Sequence, residues 1–327
     1  MSNSYSSTIL LASTLAVFLT APTRSEAVSC DMDPAYVHKG AKSKTSIFSA
    51  ESGIPSLYYR SNMDVNTDGA ARSYHPDDPR AKTIAYNNMG NAITKAWDKS
   101  GRPIACDGGD ARKRRGICFE EFIVAFEGAR TNNYNPEKFP KIETGSIIPW
   151  AIDNQLGWKV PCQIQEGPDK GYFVSQTSLW LKGGPICDQN TYVDSMTINA
   201  VVYPGGIRWS SRGVLTDKGD LVVTRNRATG VIAFALHGDS GPKDKIGEGS
   251  IALTSALSGK RLSPNPSYSE IKRLAVNDVD YLIFPANDVE KFYRSKGGTT
   301  QDGIDKYGKN VFETWGGVTR LKACGEK

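Results

Sequence analysis

Apolar and polar positions change rhythm several times along the chain. An apolar run from Ile9 to Leu19 stands first, followed by Pro22 and the small-residue pattern Ser25-Glu26-Ala27. That layout predicts a secretory signal peptide over residues 1–27, because the run is too short to span a bilayer, which takes about 20 residues. Residues 28–60 are polar and irregular and close on a short strand, Ser56-Leu57-Tyr58-Tyr59. The Asp- and Pro-rich stretches Met63–Ala70 and Tyr74–Pro79 predict turns. A short helix is expected around Ala92–Trp97, and the Gly-, Pro- and Asn-rich residues 101–150 read as part of a disulfide-pinned excursion over about 95–165.

From about residue 171 the pattern turns to β. Tyr172–Leu179, Ile198–Tyr203, Asp220–Thr224 and Val231–Leu236 are short apolar or β-branched runs, separated by Pro204-Gly205-Gly206, Asp217–Gly219 and Ala228–Gly230. Runs this short, bounded by turn residues, form strands rather than helices. Ser250–Leu257 predicts a helix that ends at Gly259; Tyr281–Phe284 predicts a further strand, and Asn287 caps a short helix to Tyr293. There is no internal repeat. The expected fold is a β-rich α+β single domain over 28–327, with core motifs at about 58–94 and 171–285 and a few packed helices.

Composition narrows the picture. Arg24 and Glu26 cancel, so the formal charge of +5 survives removal of the leader. A balance that mild does not argue for nucleic acid, and the basic run Arg112–Arg115 lacks interleaved aromatics. No later stretch approaches the length of a membrane span. The six cysteines of an exported chain favour disulfides, with Cys106–Cys118, Cys162–Cys187 and Cys30–Cys324 as the expected pairs. Without a CxxC pair, and with only His38, His75 and His237, neither a metal site nor a cofactor is expected.

The chemistry concentrates in one segment, His237-Gly-Asp-Ser-Gly-Pro-Lys-Asp-Lys-Ile-Gly-Glu-Gly-Ser250. A strand delivers Asp239 into a Gly-rich turn, and Glu248 follows nine residues later at the start of a helix. Gly238, Gly241, Gly247 and Gly249 clear side chains from around both carboxyls, as access for a bulky ligand requires. Two acids in unlike environments suit glycosidic cleavage, where one protonates the leaving oxygen and the other activates water. Turn and cap duties explain the same two acids. Gly238-Asp239-Ser240-Gly241 also has the look of a serine-protease signature, with His75 and His237 as the available bases.

Gly-Asp-Ser-Gly-Pro followed by Ile-Gly-Glu-Gly-Ser resembles the signature of glycoside hydrolase family 75, the fungal-type chitosanases. Met63–Gly69, Phe173–Leu179, Asn199–Pro204, Gly219-Asp220 and Val279–Phe284 resemble its flanking elements, so the likeness spans roughly residues 58–285. It departs at Asn66, at Asn199-Ala200 and in the long cysteine-bearing excursion. The resemblance implies a secreted endo-hydrolase of β-1,4-linked glucosamine polymer that works with inversion. Asp239 and Glu248 fall on its catalytic acids, with Glu248 placed first as proton donor and Asp239 as base, an order left open. A looser likeness to double-psi β-barrel hydrolases implies a six-stranded barrel core, and it brings a peptidoglycan-cleaving enzyme in as a rival. A non-catalytic glycan-binding module is the other alternative. A monomer is expected.

Further candidates surround the acids. Asp64, Asn66 and Asp68 before Gly69 read as an Asx-rich turn or a loose calcium loop, with His75 where an EF-hand needs its closing Glu. Asp64 and Asp68 are expected to hold the protonated amines of the substrate, with Asp77 and Asp78 available to the same acidic wall. Tyr74, His75 and Gln176 join them as substrate-binding candidates; Tyr203 and Trp209 are aromatics that stack on sugars or fill the core.

Overall fold

A computed structural model describes Met1 and residues 29–326, apart from residues 41–43, 51, 106–116, 182, 207, 212–213 and 286–298. The expected signal peptide, the Arg112–Arg115 run, the Cys106–Cys118 pair and the Asn287–Tyr293 helix lie outside the described residues.

Among the described residues the chain forms β1 (Met32–Lys39), β2 (Lys44–Ala50), β3 (Leu57–Asn66), α1 (Met89–Ala92), β4 (Lys95–Trp97), α2 (Ile117–Thr131), β5 (Lys141–Glu143), β6 (Trp150–Ile152) and β7 (Lys159–Pro161). There follow β8 (Ala200–Pro204), β9 (Ser210–Ser211), β10 (Val214–Leu215), β11 (Leu221–Asn226), β12 (Ile232–Gly241) and β13 (Glu248–Ser250). The chain closes with α3 (Ile251–Ser258), α4 (Tyr268–Lys272), β14 (Val276–Phe284), α5 (Gln301–Trp315) and α6 (Gly317–Gly325).

Six strands hydrogen-bond in the order β3-β13-β8-β12-β11-β14, and β14 returns to β3 to close a barrel. The β3–β13 and β8–β12 pairs are parallel and the others antiparallel. Numbered in chain order, the ring reads 1-5-2-4-3-6, and advancing every strand by three reproduces the same ring. Two interlocked halves related in this way are the double-psi arrangement that the sequence suggested. β2 and β1 extend the sheet outward from β3.

Side chains alternate between the barrel lumen and its outer face, as the pleat demands. Tyr59, Met63, Val201, Tyr203, Val222, Ala233, Ala235, Val279, Tyr281 and Ile283 fill the lumen, which Leu253 and Leu257 of α3 plug. Tyr203 and Trp209 are thus core residues and are not sugar platforms. Ala200, Leu221, Val223, Leu236, Leu282 and Phe284 point outward on one side, where Ile304, Phe312 and Trp315 of α5 and Leu321 of α6 cover them. A Cβ at Gly308 would meet the Phe234 ring at 2.7 Å, so glycine lets α5 lie against β12. The Cys30–Cys324 disulfide fastens β1 to α6 at this side, and Cys162–Cys187 closes a loop beyond β7.

Several expectations need correction. The polar stretch 28–60 contains all of β1 and β2, whose partners supply the order that their composition hides. The helix expected over Ala92–Trp97 is a four-residue α1 followed by β4. The excursion is a packed unit: α2 buries Phe122, Ile123, Phe126 and Ala129 against Ile142 and Ile148, and the same core includes Tyr74 and Phe173. Tyr172–Leu179 is extended but forms no strand. Its amides donate to Tyr74, Cys162, Ile147 and Gly238 carbonyls in turn, so no single neighbour forms a ladder with it. The helix expected over Ser250–Leu257 is present as α3, with Ser250 as N-cap and Gly259 in the left-handed region at its end.

Candidate active site

Four adjacent strands set one row of residues side by side: Asp239 on β12 pairs with Val202 on β8, Val202 with Glu248 on β13, and Glu248 with Asp64 on β3. Paired residues in such a row face the same side of the sheet. Ala233, Ala235 and His237 face the lumen, and strict alternation would turn Asp239 inward as well. It does not, because the pairing slips between His237 and Asp239 and leaves Gly238 as an extra residue. A bulge of this kind re-aims the next side chain. Here it brings Asp239 to the outer face beside Val202. The freed Gly238 carbonyl accepts the Leu179 amide at 3.0 Å, which draws the 175–179 segment over the carboxyl.

Asp239 is buried and held by three donors. The Ser178 and Ser240 amides donate to Oδ1 at 2.9 and 2.8 Å, and Asn66 Nδ2 donates to Oδ2 at 3.0 Å. Asn66 Oδ1 in turn accepts the Asp68 amide at 2.9 Å, an Asx turn of the sort expected for this loop. The Asp68 carboxyl accepts the Tyr74 hydroxyl at 2.7 Å. Burial pushes both carboxyls above the usual carboxylate range. The nearby Asp239 charge reinforces this at Asp68 and the Glu248 charge reinforces it at both, while the three donors oppose it at Asp239.

The sign of the linkage follows. Stability from the proton held by Asp68 is fully present below the ordinary carboxylate pKa, about 4, and is lost as pH rises through the raised value in the folded state. Asp68→Asn is therefore expected to flatten the decline in thermal midpoint between acid and mildly alkaline pH, as melting curves across that range would show. An unchanged decline would place the titration elsewhere.

Glu248 has a different setting. Its side chain is 13% exposed, and Lys245 Nζ lies 2.6 Å from Oε1 and 3.6 Å from Asp64 Oδ2. Desolvation disfavours the ammonium, but the two carboxylates outweigh it and the Lys245 pKa is raised. Glu248 sits in β13, two residues before the N-cap of α3, and so is not itself in the helix.

The glycines of the segment serve the barrel and not a ligand. A Cβ on Gly238 would meet Ala200 at 2.8 Å, one on Gly241 would meet Glu248 Oε2 at 3.0 Å, and one on Gly249 would meet Met63 Sδ at 2.6 Å. Gly247 is the most constrained, with φ +88° and a Cβ position 2.1 Å from the Asn62 carbonyl oxygen. Its own carbonyl accepts the Asp64 amide at 2.9 Å. Gly247→Ala is expected to push β13 from β3 and to cost at least about 1–3 kcal/mol of stability, measured by urea denaturation, with Glu248 displaced as well.

The remaining candidates separate cleanly. Asp64 and Asp68 join the acids, Asp64 as the 62%-exposed end of the row and Asp68 beneath it. Tyr74 reaches the site only as a buried donor to Asp68, so it offers no face to a sugar. His75 contacts the Tyr172 ring and the Asp77 amide, away from the row. Gln176 lies two residues from Ser178 and accepts the Tyr192 hydroxyl at 3.4 Å. Asp77 pairs with Arg130, and Asp78 accepts four amides from Lys82 to Ala85 that pull its pKa down to about 2. Neither forms part of the acidic wall. Ser240 Oγ donates to Ser178 Oγ, and both His237 ring nitrogens face carbonyl oxygens, so Ser240 and His237 form no serine–histidine couple.

Ser178 and Lys245 are the site residues that the sequence did not single out, and Asn66 was legible only as a member of the Asx-rich loop. Lys245 stood in the motif three residues before Glu248, a spacing that already put a cation between two acids. Among the described residues no group of His, Cys, Asp and Glu is arranged to hold a metal ion. Val193 and Ser195 line a recess of about 10 Å³ beside Asp239; across the same segment Tyr192, Asp194 and Met196 line a cavity of about 770 Å³. Asp239 and Asp68 border the small recess on the outer face of the barrel, and Asp64 stands at the exposed end of the row. No protein-family model and no curated protein matches the chain.

Proposed function

We propose that the chain is an exported, endo-acting glycoside hydrolase of β-1,4-linked amino-sugar polymer, working with inversion through Asp239 and Glu248. The observation that carries this reading is the row Asp239–Val202–Glu248–Asp64 on one outer face of the barrel. Two strand spacings separate Asp239 from Glu248, about 10 Å between Cα atoms. That spacing suits the roughly 6.5–9.5 Å between carboxyls that leaves room for a water. A site on the outer face, rather than in the filled lumen, suits the middle of a long chain, and the motif resembles that of family 75.

The electrostatics favour the reverse of the order first expected. Lys245 pairs with Glu248, whereas burial raises Asp68 and Asp239 above the usual carboxylate range and favours Asp239 as the proton donor. Glu248 takes a proton from water as the water oxygen attacks the anomeric carbon. The C–O bond to the leaving sugar breaks, and its oxygen takes the Asp239 proton. The leader-like first 27 residues and the two disulfides support export. Among the described residues no helix is long and apolar enough to cross a membrane.

Incubation with soluble chitosan and proton NMR of the first products tests the reading. New reducing ends should appear first as the inverted α-anomer. Release of the β-anomer would replace inversion by retention, and no release from any amino-sugar polymer would remove the hydrolase assignment.

A further inference from the structure

The neighbours of Glu248 bear on what kind of sugar unit the site accepts. Asp64 and Glu248 are directly paired on β3 and β13, and a bare pair of carboxylates there would attract a sugar ammonium. The position is already filled. Lys245 Nζ stands 2.6 Å from Glu248 Oε1 and 3.6 Å from Asp64 Oδ2, delivered by the turn in which the Lys245 amide donates to the Pro242 carbonyl. The lysine is half-buried, so its charge is less screened than that of a free surface lysine.

We infer that Lys245 is a specificity-determining residue: it occupies the ammonium position between Asp64 and Glu248 and makes the site select a sugar unit whose amino group is N-acetylated and neutral. A glucosamine unit placed there would bring a second cation against the Lys245 ammonium, or would have to displace it from two carboxylates. An N-acetylglucosamine unit meets neither cost. The substrate class becomes a partly or largely acetylated amino-sugar polymer, in place of the fully deacetylated one. This inference rests on the glycosidase reading of the same face.

The test compares hydrolysis of two soluble chitosans, one almost fully deacetylated and one about half acetylated, by the full chain and by Lys245→Met and Lys245→Arg. Removing the lysine also takes an ion-pair partner from Glu248, but that effect applies to both polymers and cancels in the ratio of their kcat/KM values. The deacetylated-to-acetylated ratio should rise about tenfold in Lys245→Met, the factor that roughly 1.4 kcal/mol of relieved like-charge contact represents. It should stay near the original in Lys245→Arg. A ratio within twofold of the original in a Lys245→Met protein with an unchanged thermal midpoint overturns the inference.

A second measurement needs no variant. Mass spectrometry of products cut by the unaltered chain from the half-acetylated polymer should show one of the two new ends enriched in N-acetylglucosamine. Ends matching the composition of the polymer overturn the inference as well. Release of no reducing ends from either polymer is a different result, because it removes the hydrolase reading itself.

Discussion

Glu248→Gln is expected to lower the turnover of amino-sugar polymer by about 10²- to 10⁴-fold, the usual contribution of a positioned acid or base, while leaving the fold intact. Glutamine keeps the volume and can still present an oxygen to Lys245, so β13 has no reason to leave Val202 and Asp64. What it cannot do is take a proton from water. Asp239→Asn should cost a similar factor, with a structural penalty besides. The Ser178 and Ser240 amides can still donate to the new Oδ1, but the Asn66 amide then faces another N–H₂ group. Relief requires Asn66 to flip, and the flip takes its oxygen from the Asp68 amide. Glu248→Gln is therefore the cleaner variant. Full activity in a normally folded Glu248→Gln protein would remove Glu248 from the chemistry, whatever the outcome for Asp239.

The parts of this site that the sequence disclosed are those set by local chemistry. Ser250 caps α3 and Gly259 ends it, because both positions act within a few residues of themselves. The runs that became β8, β11, β12 and β14 are dense in Val, Ile, Leu and Tyr, since most of them are covered on both faces by lumen and helices. What stayed hidden depends on partners far away in the chain. β1 and β2 look polar because one face is solvated, and their ladders come from each other and, for β2, from β3. The Gly238 bulge exists only relative to β8, although it decides whether Asp239 faces the lumen or the outer side of the barrel. Tyr74, a substrate-binding candidate from the sequence, has its hydroxyl claimed by Asp68 and its ring buried among α1, α2 and Phe173. The four glycines illustrate the same lesson. Their spacing pointed to an open site, but the atoms beside them belong to neighbouring strands of the barrel.

On the side of the barrel away from the acids, Asp280→Ala is expected to cost about 3–5 kcal/mol of stability, the usual effect of removing one partner from a buried charge cluster. Asp280 on β14 is fully buried, and its strand neighbours on either side are Arg225 of β11 and Arg60 of β3. Arg225 Nε lies 2.9 Å from Oδ2 and Arg227 Nη1 lies 3.3 Å from Oδ1, while the Tyr58 hydroxyl donates to Oδ1 at 2.7 Å. Arg227 Nη1 also donates to the Gly325 carbonyl at 2.8 Å, which ties the end of α6 to the cluster. Alanine at 280 leaves two guanidinium groups and a phenol facing an apolar gap, and loosens α6 from the barrel. Urea denaturation read by tryptophan fluorescence should show the lower midpoint, since Trp315 on α5 packs in the adjoining core. The penalty belongs to the orphaned charges and not to the lost contact. Replacing the cluster together, as Asp280→Leu with Arg225→Met and Arg227→Met, should thus recover most of the loss. If the triple variant were as unstable as Asp280→Ala, the ion cluster would be a net source of stability and not a charge that needs its partners. Because the cluster and the acids occupy different faces, Asp280→Ala should keep its activity per folded molecule at low temperature.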